Sequence, residues 1–314
     1  MKKYFGMRVL MAIPTILGVF LAVFLIIRMV PGDPASVMLG KTATPEEISL
    51  FREQNGLDEP LMTQMVIAVK KFFTGDLGES LSSHKKVTEL LKERFPRTLE
   101  LVLWGMILNS ILGIIWGVVA SVYRGRWPDY MISGMSTIGM SLPSFYVAIL
   151  VLVVLAVKLK LIPVIGIQSE NANYFQTIVA PVLTMVLAGS ALTIRTTSSS
   201  MLEVMGEDFI RTARAKGLSE KAVLFKHDLR NAAIPIATII GYNLASSFGG
   251  SIVIETVFNR PGIGKLLMDA VTKRDYPVVQ GTAVFITILL IVVNLLTDVM
   301  YSIIDPRIRV QSDK

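Results

Sequence analysis

Read for hydrophobic and polar positions alone, the chain alternates long apolar runs with short charged stretches. The apolar runs fall at 9–27, 101–123, 130–157, 175–194, 232–258 and 278–304. Crossing a bilayer core takes about 20 apolar residues as a helix, because unpaired backbone groups are too costly in hydrocarbon. The runs meet that length, and the last two are long enough to tilt. The pattern predicts an all-α integral membrane protein with six transmembrane helices. The first run follows a basic start, "MKKYFGMR", as a secretory signal would. Its 19 residues exceed the roughly 7 to 15 of a signal core, and no small-x-small cleavage site follows, so it reads as a span.

The polar stretch between the first two runs, 31–97, has the punctuation of a folded helical insert. "TPEEISLFREQNG" offers Thr44 as N-cap, Pro45 at the first helical position, Glu47 to complete a capping box and Asn55-Gly56 as a stop. "PLMTQMVIAVKKFFTG" and "VTELLKERFP" predict two more amphipathic helices, ended by Gly75 and Pro96. Their apolar faces suit packing on each other and on the span ends, or lying in the lipid interface. The chain thus divides into an N-terminus with the first span (1–30), the insert (31–97), a core with the remaining spans (98–304) and a tail (305–314).

Composition agrees with the pattern: 52% of the 314 residues are hydrophobic and only 18% are charged, too apolar for a soluble domain's surface. There are no cysteines, and His84 and His227 are far apart, which leaves no disulfide framework and no His/Cys metal cluster. A net charge of +7 in a soluble protein would suggest nucleic acid; here it is the mark of loops beside anionic lipid, with no nucleic-acid partner expected. With a cytoplasmic N-terminus, the inside segments carry 15 Lys and Arg in 61 positions against 6 in 35 for the two short outside loops, 158–173 and 259–277. That bias places both termini in the cytoplasm and the insert outside, the insert being long enough to cross with little regard to its charge. Arg28 and Asp298, near span ends, can snorkel to the interface or serve as buried functional charges.

Polar residues recur at helical spacing within the spans. Ser133, Thr137, Met140, Ser141 and Ser144 share one face around Pro143, and Asn243, Ser247, Gly250 and Ile254 share another. A transport pathway needs such faces, and Ser141, Ser144, Asn243, Ser247 and Gly250 are its candidate lining. Small and hydroxylated residues also glue membrane helices together, as "GIIWG" (Gly113, Gly117) suits, and Asn243 serves either purpose. Pro14, Pro143, Pro181 and Pro235 allow kinks.

The loop 195–231 holds "DFIRTARAKGLSEKAVLFKHDLRNAAIP", with nine acidic or basic residues in its first twenty-three. Its apolar spacing predicts two short helices hinged at Gly217, the first over about 207–216 and the second capped by Ser219. Asp208 near the start and Arg211, Arg214 and Lys216 towards the end match the helix dipole. No energy source is legible in the chain. The nearest approach to a phosphate-binding loop, "NRPGIGKLL", lacks the leading glycine, and Leu266 stands where a Ser or Thr would hold magnesium.

The loop resembles the cytoplasmic "EAA" signature of bacterial ABC importer permeases, in the variant of the oligopeptide, dipeptide and nickel uptake family. Arg211-Thr212-Ala213 stands where Glu-Ala-Ala would be, Gly217 keeps the spacing, and Pro235 lies farther downstream than in the general motif. "RMVPGDPA", "GDLGESL", "RFPRTLEL", "SLPSFYVAILV", "RNAAIP" and "ETVFNRPGIGKLLMDAVTKRDYPVVQG" extend the resemblance over nearly the whole chain. It implies a type I ABC importer permease fold in a bacterial or archaeal cytoplasmic membrane. A second, homologous permease would complete the pathway, and an extracytoplasmic solute-binding protein would deliver the solute. Two ATP-binding subunits would hold ATP and Mg, with no cofactor on this chain. Asp208, Phe209, Arg211, Thr212, Ala213, Ala215 and Gly217 would form the ATPase-coupling set. In the outside loop, Arg260, Pro261, Gly262, Gly264, Asp269 and Asp275 would form a gate or meet the binding protein.

Other classes fit less well. A secondary carrier calls for internal repeats and midplane charges, and an intramembrane enzyme for a serine with a His or Lys partner; the spans offer neither. By family weight the solute is a peptide, with nickel or another metal chelate, glutathione and heme as alternatives. The lack of a His or Cys cluster argues against a bare metal ion held by this chain.

Overall fold

The chain is helical almost throughout the residues described in this computed structural model, 2–29, 32–40, 43–163 and 173–304; the tail 305–314 and most of the 158–173 loop lie outside them. The one bridge between extended segments among these residues joins Glu79 to Lys86. The helices are α1 (Lys2–Met29), α2 (Pro34–Leu39), α3 (Pro45–Gln54), α4 (Leu61–Phe73), α5 (Val87–Val122), α6 (Trp127–Ser141), α7 (Ser144–Leu152), α8 (Tyr174–Met205), α9 (Asp208–Ala215), α10 (Glu220–Ala222), α11 (Leu229–Val257), α12 (Ile263–Lys273) and α13 (Tyr276–Ile304). Among the described residues, five stretches are long and apolar enough to cross a membrane: Gly6–Met29, Val87–Val122, Tyr174–Met205, Glu220–Val257 and Tyr276–Val299. The bent pair Trp127–Ser141 and Ser144–Lys158 makes a sixth if taken as one span.

Three elements depart from the sequence expectation. The third apolar run is not one helix: α6 and α7 meet at 107° around Pro143. Leu142, forced out of the helical region by the following proline, has φ −86° and ψ 130°. Pro96, expected to end a helix, lies inside the 36-residue α5, so the third insert helix and the second span are one element. Pro14, Pro181 and Pro235 also sit within continuous helices. Finally, the helix expected after Gly217 is the start of a long one. α10 passes through a π-helical turn, Val223–Asp228, into α11, and the whole stretch runs unbroken over Glu220–Val257.

Insert capping follows the sequence closely. Thr44 accepts from the Glu47 amide at 3.3 Å while the Glu47 carboxylate accepts from the Thr44 amide at 2.8 Å. The short α2 was not expected, although Asp33-Pro34 carries its signal: Asp33 accepts from the Ser36 amide and hydroxyl at 3.0 and 2.7 Å, with Pro34 in the first turn. Arg52 of α3 reaches the same carboxylate at 3.1 Å.

The chain forms two compact units, Leu99–Arg260 with the segment from Val292, and Lys2–Thr98 with Pro261–Ile291. The segment 261–291 therefore groups with the N-terminal part, not with the core that follows the insert. In the first unit α8 is the hub, packed by α6, α7 and α11, and it is more buried than the other candidate spans. Gly113 and Gly117 let α5 approach it. A Cβ at 113 would come within 2.5 Å of the Thr193 side chain, and one at 117 would meet Thr197, which is the packing role expected of "GIIWG". In the second unit Val87, Leu90 and Leu91 of α5 form a core with Ile263 and Ala270 of α12 and Val278 and Val279 of α13. The first turns of α5 thus bury their apolar face in protein. α4 does so less: Met62 and Phe73 are both 66% exposed.

Candidate coupling helix and translocation cleft

α9 starts at Asp208, within a residue of its expected place. Gly217 follows with φ +80°, the left-handed geometry that a glycine adopts without strain. Ser219 caps the next helix by accepting from the Ala222 amide at 3.4 Å. Across the turn Arg214 pairs with Glu220 at 3.1 Å, which ties α9 to α10. The inward side of α9 is Ile210, fully buried, and Ala213, both packed against Val223 and Val204. Of the seven expected coupling residues, Asp208, Phe209, Arg211, Thr212, Ala215 and Gly217 are exposed. Ala213 is not: it is 6% exposed because its face anchors the helix to the rest of the chain. Ile210, missed in the sequence, was signalled by its position three residues before Ala213. The exposed side mixes Phe209, 44% exposed, with the Asp208–Arg211 pair at 3.3 Å, a surface suited to docking.

A second feature lies within the same unit. A cleft of about 140 Å³ is lined by Ser144, Asn243, Ser247 and Gly250 from the expected set, with Asn109, Gly189 and Ser246 among its other walls. No lining side chain is charged. Ser141 is not on the cleft; the bend at Pro143 turns α6 away, and the Ser141 hydroxyl donates back to the Thr137 carbonyl at 2.9 Å. Asn243 serves both purposes left open by the sequence, lining the cleft and donating to the Thr193 hydroxyl at 2.9 Å. Thr193 in turn donates to Asn109 at 3.3 Å, so one buried hydroxyl links α5, α8 and α11. Asn109 had the same signal as Asn243, an amide in mid-span, and was overlooked beside the glycines of its helix.

The 259–277 residues are held at several points. In the first unit, the Arg260 guanidinium is 1% exposed and pairs with Glu100, which also accepts from the Tyr174 hydroxyl. In the second unit, the Ile263 amide at the start of α12 donates to the Thr98 hydroxyl at 2.8 Å. Asp275, after α12, is also 1% exposed. Its carboxylate accepts from the Ser80 hydroxyl at 2.6 Å, the Leu81 amide at 3.1 Å and the Ser82 amide and hydroxyl at 3.2 and 3.0 Å. Burial removes Arg260 and Asp275 from the surface that a binding protein could touch. Asp269, paired with Lys265 at 2.6 Å, is the exposed acid of the set; Pro261 and the N-cap Gly262 lead into α12, and Gly264 lies in its first turn. Arg28 is gripped by protein and does not simply snorkel: it donates to Gln64 at 3.0 Å and lies 3.6 Å from the Phe24 ring centroid.

These features define a polytopic helical membrane protein with a small amphipathic helix presented just after α8, the most buried of its candidate spans. The sequence profile of the binding-protein-dependent transport system inner membrane component matches residues 109–310, and that family's N-terminal membrane component matches 1–102. The glutathione transport system permease protein GsiC of Escherichia coli (strain K12) is 41% identical over 309 residues, 98% of this chain and 99% of the relative. The protein of that name from Salmonella typhimurium (strain LT2) gives the same figures. Among solved structures, a chain of the inward-facing MetNI methionine ABC transporter matches with a TM-score of 0.55 at 18% identity, covering 69% of this chain and 97% of that one. A second crystal form of that transporter matches with a TM-score of 0.56. The chain belongs to the family of inner-membrane components of binding-protein-dependent transport systems.

Proposed function

We propose that this chain is one of two homologous permease subunits that together form a pathway for short peptides, energised by two separate ATP-binding subunits. ATP and Mg belong to those subunits, and this chain binds no cofactor of its own. A solute-binding protein delivers the peptide on the extracytoplasmic side; both termini and α9 face the cytoplasm. The solute class rests on the relatives, whose name specifies glutathione, itself a tripeptide.

The observation that carries the coupling assignment is α9 itself. Ile210 and Ala213 fix it to its own chain while Asp208, Phe209, Arg211, Thr212 and Ala215 are left outward, and the Gly217 turn passes directly into the helix that reaches Val257. A push on α9 from an ATPase closing on nucleotide is therefore delivered to α11, which lines the cleft with Asn243, Ser247 and Gly250. The unit Leu99–Arg260, which holds both α9 and the cleft, acts as the transport core.

Co-purification tests this. The tagged chain should bring down its ATPase subunits from membranes. Gly217→Val, which places a β-branched residue at φ +80°, should weaken that capture about tenfold while membrane insertion is unchanged. Equal capture by the variant, or none by the wild type, would exclude α9 as the docking element.

A further inference from the structure

We infer that Asn109 and Asn243, oriented by Thr193, form a recognition site for the peptide bond of the passing solute. This rests on the peptide-permease reading above and identifies the chemistry within it. Thr193 is fully buried, and its hydroxyl has one proton to give. It gives that proton to Asn109 Oδ1 at 3.3 Å and accepts from Asn243 Nδ2 at 2.9 Å. The relay is directional. It engages one lone pair of Asn109 Oδ1 and one of the two Asn243 N–H donors, so the groups it leaves wholly unengaged are the Asn109 Nδ2 donor and the Asn243 Oδ1 acceptor. Both residues line the cleft, and Asn109 is only 5% exposed. A donor and an acceptor side by side complement the C=O and N–H of a peptide unit.

The surroundings support this chemistry. The cleft has no charged wall, so it has no means of sorting solutes by side-chain charge, and its other polar groups are the hydroxyls of Ser144, Ser246 and Ser247. By contrast, the larger cavity of about 800 Å³ in the other unit is bordered by Arg28, Lys71, Asp76, Glu79 and Lys86. Gly189 sets the position of the Asn109 amide, because a Cβ there would lie 2.7 Å from Nδ2. Recognition through the backbone amide suits a permease that must pass peptides of different sequence while leaving selection to the delivering protein.

The test uses the complete transporter in proteoliposomes, with binding protein preloaded with trialanine or with its analogue in which both amide links are esters. The ester analogue keeps the carbonyls and loses the N–H donors. Wild type should carry trialanine about fivefold faster, the effect of one hydrogen bond. Asn109→Leu, Asn243→Leu and Gly189→Ala should carry the two at equal rates, with basal ATPase activity reporting assembly. Retained discrimination in assembled variants, or none in wild type, would overturn the site. Should the variants not assemble, the wild-type ratio alone decides. Uptake of neither compound by wild type would instead remove the peptide reading on which the site rests.

Discussion

At the scale of single residues, the strongest anchoring is at Asp275. Four hydrogen bonds converge on its buried carboxylate from a loop almost two hundred positions earlier in the chain. Replacing it with alanine leaves the Ser80 and Ser82 hydroxyls and two amides without this acceptor. With charge-assisted bonds worth about 1.5 to 3 kcal/mol, Asp275→Ala should lower stability by roughly that amount, read as earlier thermal unfolding in detergent. Asp33 predicts a pH effect. Partial burial pushes its carboxyl up, but hydrogen bonds from Ser36 and Arg52 outweigh this and hold it below the ordinary carboxylate value. The native state therefore binds fewer protons than the unfolded one near that pH. The resulting stability is present above the unfolded pKa of about 3.9 and is lost as pH falls through the lower folded value. Protease cleavage between 32 and 54 should rise on acidification through that window, and Asp33→Asn should flatten the response. Thr44 and Gly217 were legible in the sequence because caps and turns act locally; the equally local Asp33-Pro34 signal of α2 was not among the expected elements. The partners of Asp275 and Arg260 were not, because nothing local links position 80 to 275.

At the scale of elements, two prolines with the same chemistry have opposite outcomes. Each removes a helical hydrogen bond and crowds the preceding turn, at about 3 kcal/mol. At Pro96 the flanking helix is held by Val87, Leu90 and Leu91 in the core and by Phe95 against the Phe285 ring at 5.3 Å. At about 1.5 to 3 kcal/mol for each large apolar side chain buried, that packing outweighs the defect. At Pro143 the exposed α6 side, with Ser133, Thr137 and Ser141, supplies no such restraint and the chain turns by 107°. Periodicity alone could not separate these cases, since the deciding contacts come from elsewhere in the fold. Pro143→Ala should let α6 continue towards α7. Spin labels at 131 and 150 should then move apart, with peptide transport reduced at least tenfold because Ser144 leaves the cleft. Pro96→Ala should change neither spin-label distance nor transport.

At the scale of the whole molecule, the apolar runs made the membrane class plain, and the loop after α8 carried the resemblance to ABC importer permeases that the family match supports. The grouping of 261–291 with the N-terminal unit was not legible, because it depends on packing between segments far apart in sequence. In the function proposed above, solute movement through this chain is driven by ATPases acting at α9. Its most direct test is uptake of radiolabelled peptide into proteoliposomes holding this chain, its permease partner, the ATPase subunits and binding protein. Uptake should require ATP and binding protein and fall at least tenfold with Gly217→Val. Peptide uptake by the purified chain alone, driven by an ion gradient and indifferent to ATP, would contradict it.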